Sequence, residues 1–182
     1  TLRYASSGAV AVNEAGFEAK NIEIVQVTSD ATGGTTFDVT GVTQLQTLRN
    51  FNSAEDLNLV GMDRLVAVEL QSVGSAGAGA NDPTPDTTLT FNAAVVAGNA
   101  DALSVKLNGN LNVDGTGVGD LNVAGIEIVN VTTAGAASSL NSIASGSLRA
   151  MTIAGDQNLT LAAANFFDAV NVNTVNASAF TG

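Results

Sequence analysis

"GNLNVDGTGVGDLNVAGIEIVNV", residues 109–131, nearly repeats itself: Asn-Leu-Asn-Val at 110–113 returns as Asp-Leu-Asn-Val at 120–123. Between the two copies lies "DGTGVG", residues 114–119, rich in glycine and carboxylate and poor in side-chain bulk. Apolar and polar residues alternate in each copy, which is the period of a strand with one buried face. Glycine supplies positive φ without steric cost, so the spacer reads as a tight corner. The stretch therefore predicts two faces of one coil, with Leu111 and Val113 pointing inward from one face and Leu121 and Val123 from the next.

The same pattern runs outward in both directions. Period-two alternation recurs at Ile22/Ile24, Leu57/Leu59, Val66/Val68/Leu70, Leu89/Phe91, Leu103/Val105/Leu107, Ile126/Ile128, Leu159/Leu161 and Val170/Val172. "NIEIVQVTS" at 21–29 is echoed by "GIEIVNVTT" at 125–133, and "DLNLV" at 56–60 by "DLNVA" at 120–124. Echoed short strands are the mark of a solenoid, in which each coil buries its inward residues against the coils above and below. Asparagines at one position of successive coils can stack into an amide ladder. The expected fold is all-β, a parallel β-helix or β-solenoid of short strands with Gly/Asn/Asp turns. A β-sandwich is the alternative, since it also needs short strands at such spacing. Short helical turns are expected at 8–20, 92–102 and 162–169. The longest break, "GSAGAGANDPTPD" at 74–86, holds both prolines. It divides the chain into a first half, 1–73, a loop or hinge, 74–86, and a second half, 87–182, which together can form one continuous domain.

Composition agrees with a narrow interior. The 182 residues are 45% hydrophobic but only 4% aromatic, with no Trp and one Tyr, so Ala, Val and Leu must fill the core. With 17 acids and 6 bases the net charge is −11. Such a surface repels phosphate backbones and anionic lipid, so nucleic acid is not an expected partner. No apolar run approaches the roughly 18 residues of a membrane helix, and membrane insertion is not expected. The chain has no Cys and no His. Disulfides, Cys/His zinc sites and the usual nucleophilic triads are excluded. A chain that starts on Thr1 and ends on Gly182 is read as a piece of a longer or processed one.

Carboxylates carry what chemistry remains. Glu23 and Glu127 stand at equivalent places in the two long echoes and form a candidate acid pair, although the solvent side of an amphipathic strand accounts for them better. The six bases, Arg3, Lys20, Arg49, Arg64, Lys106 and Arg149, look scattered. No enzyme is expected. Hard Ca²⁺ prefers carboxylate and carbonyl oxygens. Asp114 and Asp120 flank the glycine corner, and Asn81, Asp82 and Asp86 sit on the proline loop. These five are the candidate metal ligands, and Ca²⁺ the candidate cofactor.

The chain as a whole resembles the central region of bacterial surface-layer proteins of the RTX, type I-secreted kind, and of related large adhesins. "GIEIVNVTTAG" at 125–135, "NLTLAAA" at 158–164 and "VNTVNASAFTG" at 172–182 carry the likeness. It covers 120–182 well and 20–73 moderately, and does not extend to 74–100. "GTGVGDLNV" at 115–123 is similar to the RTX nonapeptide, Gly-Gly-x-Gly-x-Asp-x-apolar-x, but places Asp120 directly after its last glycine. The resemblance implies a right-handed parallel solenoid that binds Ca²⁺, lies at the bacterial cell surface and associates with itself into a sheet or filament. An adhesin module for cell-surface polysaccharide is the alternative function, and a polysaccharide lyase or hydrolase ranks after it.

Overall fold

The structure is a computed structural model and describes residues 1–8, 12–73, 84–109, 119–162 and 172–182. Leu111, Val113 and Val170, expected in the core, lie outside the described residues, as do the candidate ligands Asn81, Asp82 and Asp114.

Eighteen strands are found among the described residues, and no helix. Eight form one long sheet: β1 (Leu2–Gly8), β4 (Ile24–Ala31), β7 (Thr47–Phe51), β9 (Ala67–Gln71), β11 (Ala102–Asn108), β13 (Ile128–Thr133), β16 (Ala150–Gly155) and β18 (Thr174–Phe180), in that order. Six form a second sheet: β2 (Val12–Glu14), β5 (Thr35–Asp38), β8 (Leu57–Met62), β10 (Thr87–Phe91), β12 (Leu121–Asn122) and β15 (Ile143–Ala144). Two short pairs complete the coils: β3 (Glu18–Ala19) with β6 (Gly41–Val42), and β14 (Ser138–Leu140) with β17 (Leu159–Leu161).

Both sheets run in sequence order and every pairing is parallel. A chain that alternates between two such sheets is a β-solenoid. A sandwich, built from antiparallel strands, is ruled out. The sheets pass across the 74–86 break: β9 pairs with β11, and β8 with β10.

Coil length varies while register holds. Partners on neighbouring strands are 23 residues apart at Val25 and Leu48, 20 at Leu48 and Val68, 37 at Val68 and Val105, and 26 at Val105 and Val131. Among the described residues, extra length shows in the ten-residue connection 92–101 between β10 and β11. Gly119 shows how tight a corner can be: a Cβ there would overlap the Pro85 carbonyl of the coil below.

The interior is a stack of like residues. One column of the long sheet reads Val25, Leu48, Val68, Val105, Val131 and Ile153, all at most 8% exposed. The second sheet answers with Leu57, Leu121 and Ile143, and with Phe37, Leu59 and Leu89. Residues of this size fill a narrow bore at close packing. Three aromatic rings gather at one place, where Tyr4, Phe17 and Phe37 meet at centroid distances of 5.2 and 5.7 Å.

The expected register holds in part. Leu121, Val123 and Ile126 are fully buried. Ile24 and Ile128 are half-buried, while Val25, Val27, Val129 and Val131 take the inward places. The cause is a corner. The Glu127 and Ile128 N–H groups both donate to the Asp101 carbonyl, as those of Gln46 and Thr47 do to the Glu23 carbonyl and those of Arg149 and Ala150 to the Glu127 carbonyl. One carbonyl serving two successive N–H groups consumes a residue, and the alternation flips phase. Ile22 and Ile126 therefore face the core from before the corner. The expected helical turn at 92–102 is also absent: the chain makes non-helical turns there, and Val95 and Val96 pack back onto the core. The described part of 8–20 includes β2 and β3, and 163–169 lies outside the described residues.

Candidate functional site: side chains ranked along the coils

Parallel register turns isolated residues into columns. Leu57, Thr87 and Leu121 are partners across β8, β10 and β12. The preceding residues, Asp56, Asp86 and Asp120, therefore form a column at the corner leading into the second sheet. They are linked in one direction. The Asp86 N–H donates to Asp56 Oδ1 at 2.8 Å, and the Asp120 N–H to Asp86 Oδ1 at 2.7 Å. Asn141 Nδ2 and Ser142 Oγ close the series, each 2.8 Å from Asp120 Oδ1. At the other end the same place belongs to Gly34, where a Cβ would crowd the Asp56 carbonyl. An N–H at such a corner points away from the sheet ladder, and a carboxylate on the neighbouring coil satisfies it.

Two of the five candidate ligands, Asp86 and Asp120, are thus brought together. The third member, Asp56, was missed, although the Asp-Leu-Asn echo at 56 and 120 carried the signal. No group of three or more metal-binding side chains is gathered around one point among the described residues. Calcium takes six to eight oxygens. The single file of aspartates supplies only part of such a set.

Beside this column runs a second, facing solvent: Thr36, Asn58, Thr88 and Asn122. Asn122 Nδ2 donates to Thr88 Oγ1 at 3.1 Å. The expected ladder of stacked asparagine amides is not what forms in this column: Thr alternates with Asn, and the bond runs from amide to hydroxyl.

The outer face of the long sheet holds a third column: Arg3, Gln26, Arg49, Glu69 and Lys106. The bases are not scattered, since three of the six share this column. Arg49 reaches Glu69 Oε2 through Nε and Nη2, both at 2.7 Å, and Lys106 Nζ lies 3.0 Å from Glu69 Oε1. Arg49 Nη1 also donates to Gln26 Oε1 at 3.3 Å. The two cations cover Glu69, which is 6% exposed. Burial pushes its pKa up, but the hydrogen bonds from Lys106 and Arg49 and their charges outweigh it and hold the carboxyl below the ordinary value.

Glu23 and Glu127 do not form a pair. Glu23 is exposed, whereas Glu127 is buried with Oε2 accepting the Asp101 N–H at 2.9 Å. They belong to corners before β4 and β13, four rungs apart, or roughly 19 Å at about 4.8 Å per rung. Paired glycosidase carboxylates stand roughly 5–9.5 Å apart.

No helix of the described residues is long and apolar enough to cross a membrane. Comparison of the chain with protein-family models, with curated proteins and with solved structures finds no match.

Proposed function

We propose that the chain is a structural rather than a catalytic element: a cell-surface segment, of the surface-layer and RTX-secreted style, that associates with copies of itself into a layer, matrix or filament with the help of Ca²⁺. The observation that carries this reading is the aspartate column on a rigid parallel solenoid. It offers carboxylates in axial register but too few oxygens to complete a calcium shell, so a cation held there takes its remaining ligands from water or from a second surface. A second copy of a protein with net charge −11 supplies such oxygens. Without a bridging cation, like charge opposes association.

The test is an Asp86→Asn/Asp120→Asn double variant. Asn keeps an Oδ1 acceptor, so the corner hydrogen bonds survive while two charges are lost. Light scattering and negative-stain microscopy should show the parent associating as calcium rises through the millimolar range and dispersing on chelation while still folded. The variant should stay dispersed. A parent that remains monomeric at high protein and calcium concentration would sink the reading. Equal association of parent and variant would remove the aspartate column from it.

A further inference from the structure

The coil between β9 and β11 is the longest, and part of its length builds a cavity. Ten residues, 92–101, connect β10 to β11, against four, 63–66, between β8 and β9. The insertion is braced by the Val95 N–H on the Asn92 carbonyl and by the Gly98 N–H on Asp101 Oδ2. It stands as a wall beside the outer face of the second sheet and bounds with it an open cavity of about 520 Å³. The wall contributes Ala93 and Val96, and the sheet contributes Thr88, Thr90 and Asn122. Gly125 lets the wall approach, since a Cβ there would lie 2.8 Å from Val96 Cγ2.

The lining chemistry is specific. It carries no charged side chain. Thr88 Oγ1 accepts from Asn122 Nδ2, and among the described residues the Thr88 hydroxyl hydrogen and the Asn122 side-chain carbonyl oxygen have no other partner. The Thr90 hydroxyl has no partner among the described residues, and its residue is exposed. The cavity therefore presents a donor, an acceptor and a group that is either, opposite the small apolar surface of Ala93 and Val96. Its volume falls in the roughly 300–1,000 Å³ range of small-ligand sites, and its mix of apolar lining with a few convergent polar groups is their usual make-up. An anion would meet the field of a −11 protein. A cation would find no carboxylate. A purely apolar ligand would cover three polar groups without replacing their water.

We infer that this cavity binds a neutral pyranose ring, with its hydroxyls on Thr88, Thr90 and Asn122 and its C–H face on Val96 and Ala93. The inference does not rest on the assembly reading, and either can fail alone.

Saturation-transfer NMR on the intact chain, using the methyl glycosides of glucose, galactose, mannose and N-acetylglucosamine as probes, tests it. At least one should receive magnetisation at millimolar concentration, and glucuronate should bind more weakly. Thr88→Val removes a hydroxyl at constant shape, and Ala93→Trp fills the cavity from an exposed turn. Each should weaken binding by about tenfold or more with unchanged thermal unfolding. Should Thr88→Val fold poorly, Ala93→Trp decides alone. No transfer to any of the four glycosides overturns the inference. So does transfer that survives both variants, or binding of toluene in place of every sugar.

Discussion

Asn50 is an amide in a column of aliphatics. It lies between Val27 and Leu70 in the long sheet and is fully buried. Its Nδ2 donates to Thr87 Oγ1 at 2.8 Å, its Oδ1 accepts from Ser53 Oγ, and Ser53 Oγ accepts the Ser29 N–H at 2.8 Å. Ser29 continues the chain through its own Oγ, to Thr35 Oγ1 at 2.9 Å and the Asp56 carbonyl at 2.7 Å. The network joins the two sheets at a buried corner, where an unmade hydrogen bond costs about 1–3 kcal/mol. Thr87→Val strands the Asn50 Nδ2, and Asn50→Leu strands the Thr87 and Ser53 hydroxyls. Each single change should therefore destabilise by about 1–3 kcal/mol or somewhat more. The double variant removes donor and acceptor together and leaves Leu among aliphatics. It should be more stable than the sum of the singles predicts by about 1–3 kcal/mol. For a chain of this size that is a Tm difference of very roughly 2–10 °C. A double-mutant cycle by urea and thermal circular dichroism reads it. Additivity within about 0.5 kcal/mol would refute the coupling and leave Asn50 as a residue that merely fits.

Tyr4 is the one tyrosine of the chain, so tyrosinate absorbance reports it alone. Burial, then the hydrogen bond to Glu14 and that residue's charge, push its pKa to about 12. A raised phenol pKa contributes stability that is complete below the ordinary value of 10.0 and is lost as pH rises through about 12. The titration midpoint should sit near 12 and fall in Glu14→Gln, while an ordinary midpoint in the folded parent would contradict the Tyr4–Glu14 contact. Glu69 has the opposite sign: its folded pKa is lowered, so its contribution is present above 4.5 and is lost as pH falls through the folded value. Glu69→Gln should flatten stability against pH in that acid range, and an acid limb identical to the parent's would uncouple the charged column from folding.

Sequence exposed the architecture because a solenoid writes its geometry in repeats. Asp56-Leu57-Asn58 and Asp120-Leu121-Asn122 occupy corresponding places on the second sheet. What it hid follows from the corners. Alternation fixes an inward face only while the backbone stays extended, and at these corners two successive N–H groups, such as those of Glu127 and Ile128 on the Asp101 carbonyl, turn to one acceptor just before the strand. The Ile24 and Ile128 phase was lost there. Val95 and Val96 mimic helical spacing because the insertion folds back on the sheet, not because its backbone is helical. The charged column was hidden by coil length. Arg3, Arg49 and Lys106 align only when the register of β1, β4, β7, β9 and β11 is known, and coils of 20 to 37 residues leave no fixed interval to search for. Buried Asn50, Ser53 and Thr87 look in sequence like turn residues. Only the register turns two of them inward.

The aspartate column has an energetic peculiarity that ties fold to function. Carboxylates one rung apart, at about 4.8 Å, repel by about 1 kcal/mol if water screens them fully and by about 3–4 kcal/mol at an effective dielectric of 20. Each hydrogen bond to an ionised acceptor returns about 1.5–3 kcal/mol. Asp56, Asp86 and Asp120 are half-buried, so the two effects nearly offset each other. The fold therefore does not need the charges. Asn at 86 and 120 keeps the acceptors and relieves the repulsion, which makes the double variant as stable as the parent, or more so, without divalent ions. A cation reverses the balance, because the same two carboxylates then attract a common charge. Stability without calcium and association with calcium thus move in opposite directions on one substitution. A merely structural column would show no calcium effect in parent or variant, whereas a bridging column loses its calcium-dependent association and keeps its fold.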